Sequence, residues 1–221
     1  MARASQPTLT PPISNPFSTR FVQPGELPWL APTPAATLSG LRRRFEETLN
    51  RRGAIVGAHG TGKTTLMLHL LRLLEAPQGY LQLRRGEQPL LTVLLKIART
   101  PVGELVAVDG MEQLGPVGQW WVRVGTKARR QSLLVTSHRP CGIACLYATG
   151  VDDRLVERVI EACVQRAGLD LDPIRRLQLI NAARRALGRN GGNVRETLMD
   201  LYDWFEETDH GEVGEVVEAP E

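Results

Sequence analysis

Lysine is nearly missing from this chain of 221 residues: Lys63, Lys96 and Lys127 are the only lysines among 27 basic residues, and arginine supplies the rest. Cysteine is also scarce. Cys141, Cys145 and Cys163 are an odd number without zinc-like spacing, which argues against a disulfide framework. They read as reduced thiols in a cytoplasmic protein. Cys141 and Cys145 lack the histidine or second cysteine pair that would complete a tetrahedral metal set. No apolar run reaches the roughly 18 residues of a membrane span. The opening "MARASQPTLTPPISNPF" has no apolar core of the secretory kind, so no signal peptide and no membrane association are expected.

What is present is unevenly distributed. The formal net charge is +3, but the last stretch, "DHGEVGEVVEAPE" from Asp209, carries five acids and no Lys or Arg. The acidic tail over 208–221 is expected to be disordered, and the remaining body is basic. A basic body can attract nucleic acid. An arginine-rich solvated surface accounts equally well for the same charge.

Eight of the fifteen prolines fall within residues 1–36. Proline removes backbone donors and fixes φ, so an extended arm is expected there rather than helix or inner strand. The arm carries Phe17, Phe21, Trp29 and Leu30, more apolar surface than a disordered linker usually has. It should therefore pack along the body. Thr37 or Ser39 is placed to cap a helix in which Leu38, Leu41, Phe45 and Leu49 repeat at helical spacing.

From Gly53 to Gly150 short apolar runs alternate with helical patterns. "AIVG", "GYLQLRR", "ELVAVDG", "SLLVTSH" and "GIACLYATG" read as strands. "TTLMLHLLRLLE", "LLTVLLKIAR" and "VGQWWVRVGTKARRQ" read as helices, the last interrupted at Gly125. Such alternation predicts an α/β fold, a three-layer sandwich around a mainly parallel sheet, over residues 37–150. After Val151 three helices follow in a row, Asp152 to Ala167, Pro173 to Leu187 and Asn193 to Glu207, so a helical unit spans 151–207. No internal repeat is visible.

"GAHGTGKT" fits G-x-x-x-x-G-K-[ST] at Gly57, Gly62, Lys63 and Thr64. It lies between an apolar strand and a strong helix, the context the motif requires. Gly57, Ala58, His59, Gly60, Thr61 and Gly62 would turn backbone N–H groups toward phosphates, and the helix N-terminus adds partial positive charge. Lys63 is expected on the β- and γ-phosphates, Thr64 on Mg²⁺ and Thr65 beside the α-phosphate. His59 reads mainly as a spacer. In "LVAVDG", four apolar residues precede Asp109, the Walker B pattern whose aspartate holds the Mg²⁺ shell.

With these two motifs the chain resembles the P-loop NTPases. The subgroup it looks like has an extra strand between the P-loop and Walker B strands, and includes the AAA+ and STAND ATPases. The resemblance covers roughly Leu38 to Glu207. It implies ATP and Mg²⁺ as ligands, and the helical unit as a C-terminal three-helix lid. In "LLVTSHRP", Thr136 or Ser137 matches the polar sensor of AAA+ proteins, and His138 matches the γ-phosphate histidine of ABC-type ATPases. The ABC signature LSGGQ is absent. "GGNVRETLMDLYDWFEE" resembles the start of the third lid helix, which makes Arg195 a sensor candidate. Relatives in this subgroup usually place Glu directly after the Walker B Asp; here Gly110 stands there, and the nearest carboxylate is Glu112. Gly110 permits a bend, so Glu112 is a candidate base, with Lys63 as its catalytic partner on the phosphate. Arg129, Arg130 and Arg139 are candidate arginine fingers for a neighbouring subunit.

The expectation is a Mg-ATP-binding switch with slow or assembly-dependent hydrolysis, completed by a homo-oligomer or a protein partner. ATP is preferred over GTP because no N-K-x-D motif occurs. Two alternatives share the loop. One is a nucleic-acid-associated ATPase of origin-recognition or transposition-helper type, suggested by the clusters at Arg42 to Arg44, Arg51 and Arg129. The other is a small-molecule kinase, disfavoured because no short lid is inserted in the sheet domain. The resemblance also leaves the arm two uses, covering the adenine or docking a neighbouring subunit.

Overall fold

The computed structural model describes residues 15–75, 79–84 and 89–211, with the side chains of Phe21, Pro89 and residues 209–211 left aside. The arm is not wholly extended. A one-turn helix α1 (Thr19–Val22) and a 3₁₀ turn at Pro34–Ala36 interrupt it. The first lies in the proline-free stretch between Pro16 and Pro24. The second starts on Pro34, whose fixed φ suits a first helical turn. Thr37 then caps α2 (Leu38–Arg43), its side chain accepting from Gly40 N at 3.2 Å. The helix continues as a π turn over Arg44–Thr48, and Leu41 and Phe45 are buried.

Strands and helices then alternate: β1 (Arg52–Val56), α3 (Lys63–Leu73), β2 (Tyr80–Gln82), α4 (Pro89–Arg99), β3 (Leu105–Asp109), a 3₁₀ turn (Met111–Leu114), α5 (Gly115–Ala128), β4 (Ser132–Ser137) and β5 (Cys145–Ala148). β2 is shorter than "GYLQLRR" suggests, and residues 85–88 lie outside the described ones. α5 runs through Gly125 without a break. A lone glycine costs a helix only about 1 kcal/mol, less than packing on α4 and the sheet returns.

All strand pairs are parallel, in the order β2-β3-β4-β1-β5. The period-2 alternation of a strand sends neighbouring side chains to opposite faces. Leu105 and Ala107 of β3, Ile55 of β1 and Leu134 of β4 join one core with Leu41, Phe45, Leu66 and Leu70 from α2 and α3. Val106, Val108, Ala54, Leu133 and Val135 join the other with Val93, Ile97 and Val122 from α4 and α5. Because both faces are covered, β3 and β4 are buried along their whole length, and they read as continuous apolar runs.

Three helices complete the chain: α6 (Asp153–Ala167), α7 (Pro173–Arg189) and α8 (Val194–Gly211). Asp152 and Asp172 cap the first two with their carboxylates. The last two run two and four residues beyond the ends that the sequence pattern suggests, so helix replaces the start of the expected acidic tail; residues 212–221 lie outside the described ones. These helices have their own core of Val156, Ile160, Leu179, Leu201 and Phe205. The arm's Phe17 enters it, edge-on to Phe205 at 6.2 Å. The arm also bridges the two halves: Arg72 of α3 donates to Gly25 O, and Arg166 of α6 to Glu26.

Candidate functional site

The loop from Gly57 to Gly62 sits at the C-terminal ends of the parallel strands, where a sheet of this kind leaves a crevice. Gly60 and Gly62 adopt φ of +70° and +85°, a left-handed conformation that L side chains rarely take. Gly57 is constrained by space instead. A Cβ there would overlap Thr149 Oγ1 and lie 2.7 Å from Thr149 O. Thr61 Oγ1 donates to Ala58 O at 2.9 Å and meets Thr149 Oγ1 at 2.6 Å, which ties the loop to the end of β5. Ala58 and His59 are exposed on the outer rim.

Lys63 opens α3. Its Nζ donates to Ala58 O at 2.5 Å, folding the side chain back across the loop. Burial lowers its pKa, opposed by the negative charges of Glu112 and Asp109. Thr64 follows, with Oγ1 donating to Asp109 Oδ2 at 2.9 Å across 45 residues of sequence. Thr65 lies half-buried in the same helical turn.

Asp109 is buried and held from several sides. Thr136 Oγ1 donates to Oδ1 at 2.5 Å and itself accepts from Gly110 N at 2.8 Å. Tyr80 and Gln82, on one face of β2, approach Oδ2 at 3.3 and 3.5 Å. Burial, reinforced by Asp109, holds the Tyr80 phenol far above its usual pKa, so it stays protonated as a donor. This network orients the carboxylate and leaves its oxygens as hard ligands. Among the described residues no group of three or more His, Cys, Asp or Glu forms a metal cage. A hydroxyl beside one carboxylate suits Mg²⁺, which keeps several waters and takes one or two carboxylates plus phosphate oxygens.

Gly110 has φ of +88° and bends the chain directly after β3. The 3₁₀ turn that follows carries Glu112 back toward the loop. Its Oε1 lies 2.9 Å from His138 Nε2, and its Oε2 is buried without a hydrogen-bond partner among the described residues. His138 stands just past β4 and stacks on His59 with ring centroids 3.6 Å apart. Burial lowers the His138 pKa first, and the Lys63 charge lowers it further, against Glu112 and the Gly57 backbone. The lowered pKa favours the neutral ring, which lies against the Glu112 carboxylate as a close contact. Ser137, buried beside it, takes part through its backbone: its carbonyl accepts from Gly57 N at 3.1 Å.

The candidates thus divide. Lys63, Thr64, Asp109, Glu112, Thr136 and His138 converge around one loop. Arg195 is exposed in the first turn of α8, with no ion-pair partner among the described residues. The contact that brings α8 to the loop is made by its cap, Asn193. A Cβ at Gly60 would overlap Asn193 Oδ1, and the same oxygen accepts from Arg195 N and Glu196 N at 3.1 and 3.3 Å. Asn193, Thr149, Tyr80 and Gln82 were not among the sequence candidates. Tyr80 and Gln82 carry a period-2 signal on a strand, whereas Thr149 has none. From the arm, the Trp29 ring comes within 3.8 Å of where a Gly62 Cβ would be and meets Tyr147 edge-on at 5.8 Å. The chain matches no protein-family model and no curated protein.

Proposed function

We propose that this protein is a Mg-ATP-binding P-loop ATPase of AAA-like type, a nucleotide-dependent switch whose hydrolysis is slow or depends on assembly. The observation that carries the reading is the meeting of Thr64 and Asp109 at 2.9 Å beside Lys63. These are the side chains that would hold Mg²⁺ and the β- and γ-phosphates, and they come from opposite ends of a 45-residue interval. The left-handed Gly60 and Gly62 support it, since that conformation lets loop N–H groups face an anion.

The nucleotide's phosphates would draw Lys63 off Ala58 O, exchanging one acceptor for more strongly charged ones. Mg²⁺ supplies charge neutralisation when bound. Glu112 is the base in this reading. Its Oε2 takes a proton from the attacking water, while His138 packs beside the other oxygen, Oε1. The helical unit acts as the lid and registers the loop's state through Asn193 on Gly60. Trp29 and Tyr147 form an aromatic wall beside Gly62 where a purine ring can rest.

The test is calorimetric titration with ATP and Mg²⁺ for wild type and Lys63→Ala. A large loss of affinity in the variant, with unchanged folding, is expected. Equal affinities would remove the reading.

A further inference from the structure

α4 and α5 lie side by side on one face of the sheet. A Cβ at Gly118 would come 3.5 Å from Leu90 Cδ1, and one at Gly125 3.7 Å from Ile97 Cγ2. These two contacts are about two turns apart on both helices, so α4 and α5 run in the same direction. Their last turns are tied together as well: Arg129, just past α5, donates to Ala98 O and Thr100 O at the end of α4.

The outer surface of this pair divides along its length. Leu91 and Leu95 of α4, and Val117, Trp120, Trp121 and Val124 of α5, are exposed at spacings that keep each set on one stripe. The indoles meet edge-on at 5.0 Å, and each is nearly half exposed. A contiguous exposed apolar surface of this kind marks a docking site. The cations gather toward the C-terminal ends. Lys96, Arg99, Lys127 and Arg130 have no ion-pair partner among the described residues. Neither helix contains an Asp or Glu. Glu104, exposed in the loop from α4 to β3, adds one negative charge at this end and leaves it positive. Arg123, on α5, turns aside and donates to Gly142 O at 3.2 Å.

Lys96 and Arg99 also line a cavity of about 360 Å³ between α4 and β2, with Leu81 and Leu95 as apolar walls. Leu95 belongs to the exposed stripe too, so the cavity opens onto the apolar surface.

We infer that the α4–α5 face docks an amphipathic helix of another protein, whose acidic first turn seats a carboxylate between Lys96 and Arg99. Two parallel helices offer a groove to a third helix with apolar side chains at i, i+3, i+4 and i+7. The partner's acids belong at one end because the cations do. Acids are favoured in a helix's first turn, so the partner runs antiparallel to α4 and α5. Its later apolar residues then cover Leu91, Val117 and the indoles. Desolvated tryptophans dominate contacts of this kind, and the charges set orientation. A membrane-binding face instead carries cations beside its apolar stripe along the whole length. The inference does not rest on nucleotide binding.

Fluorescence anisotropy of labelled synthetic peptides, titrated with the full chain without nucleotide, tests it. The first peptide has about 15 residues, the length at which isolated helices begin to hold. It carries Glu in its first turn and Leu at i, i+3, i+4 and i+7. The second has the same residues with Glu moved to the last turn, and the third has Lys in place of Glu. The first should bind saturably and the others at least about tenfold more weakly. Trp120→Ala/Trp121→Ala should weaken the first peptide at least about tenfold. Lys96→Glu/Arg99→Glu should shift preference from the Glu peptide to the Lys peptide, a reversal that poor folding does not produce. No saturable binding of the first peptide, equal binding of the first two, or either variant binding as wild type does would overturn the proposal. So would two other occupants: phosphatidylglycerol vesicles, or a second copy of the chain, bound by wild type in preference to the first peptide and lost in the tryptophan variant.

Discussion

Glu112 Oε1 lies 2.9 Å from His138 Nε2, joining the turn after β3 to the end of β4 at the edge of the glycine-rich loop. The second carboxylate oxygen is buried and unpartnered among the described residues. A carboxylate packed against a histidine at one oxygen and unpartnered at the other can accept a proton at the second. Removing its charge should therefore separate binding from turnover. Glu112→Gln is expected to bind ATP as wild type does and to lower the hydrolysis rate by about 10²–10⁴-fold, the usual contribution of a positioned base. Phosphate release in single-turnover assays reads this, and an unchanged rate would exclude Glu112 as the base.

Lys63 and Asp109 should affect affinity instead. Hydrogen bonds to charged groups contribute about 1.5–3 kcal/mol, so Lys63→Ala should weaken ATP about 10- to 100-fold. Asp109→Asn should weaken Mg-ATP but leave metal-free ATP nearly unchanged, because in the proposed reading it holds the Mg²⁺ shell. Titrations with Mg²⁺ and with EDTA distinguish the two effects. A loss of equal size in both would assign Asp109 to folding alone, through Thr64 and Thr136.

The His138 pKa is lowered in the folded protein, chiefly by burial and then by Lys63, below the 6.5 of an ordinary histidine. The unfolded chain then binds the proton more readily than the native one. This site's contribution to stability is complete above about pH 6.5 and is lost as pH falls through the folded-state value. His138→Asn should remove that part of the acid dependence. Comparing melting temperatures of wild type and variant from pH 8 to pH 5 checks the sign: wild type should lose stability relative to the variant as pH falls, and a relative gain on acidification would contradict it.

Gly60→Ala combines a left-handed φ with overlap on Asn193 Oδ1. The backbone term alone costs roughly 1–2 kcal/mol. The variant should melt lower, and hydrogen exchange should quicken at the start of α8, where Asn193 caps the helix. Gly150, which has open space around the position of a Cβ, serves as the control: Gly150→Ala should behave as wild type.

Phe17 is 2% exposed and stacks on Phe205, 188 positions later in the chain. Phe17→Ala should cost about 3–5 kcal/mol, as for other buried phenylalanines. Thermal unfolding that leaves stability unchanged would mean that the arm does not contribute to the core.

The sequence by itself determined the layered α/β character. Runs such as "LVAVD" and "SLLVTS" are apolar without alternation because both faces of β3 and β4 are covered. Their separation by helical patterns required parallel pairing. It also specified the loop, since Gly60 and Gly62 meet backbone demands, and Gly57 a demand for space, that few other residues satisfy. Local signals were enough for these features because each depends on a single residue's conformation or on a short period. They misjudged Gly125, where a local cost was outweighed by packing, and the arm, where short turns form between prolines.

Only the tertiary structure decided how distant segments meet. The strand order places β3 two strands from β1, with β4 between them, so that Asp109 reaches Thr64 and receives Thr136. The sign of φ at Gly110 carries Glu112 to His138 rather than into solvent. The docking of Asn193 on Gly60 and of Trp29 beside Gly62 joins the helical unit and the arm to one loop. None of these has a sequence period, because each is a contact between surfaces that become neighbours only when the two sheet cores and the helical core are packed together.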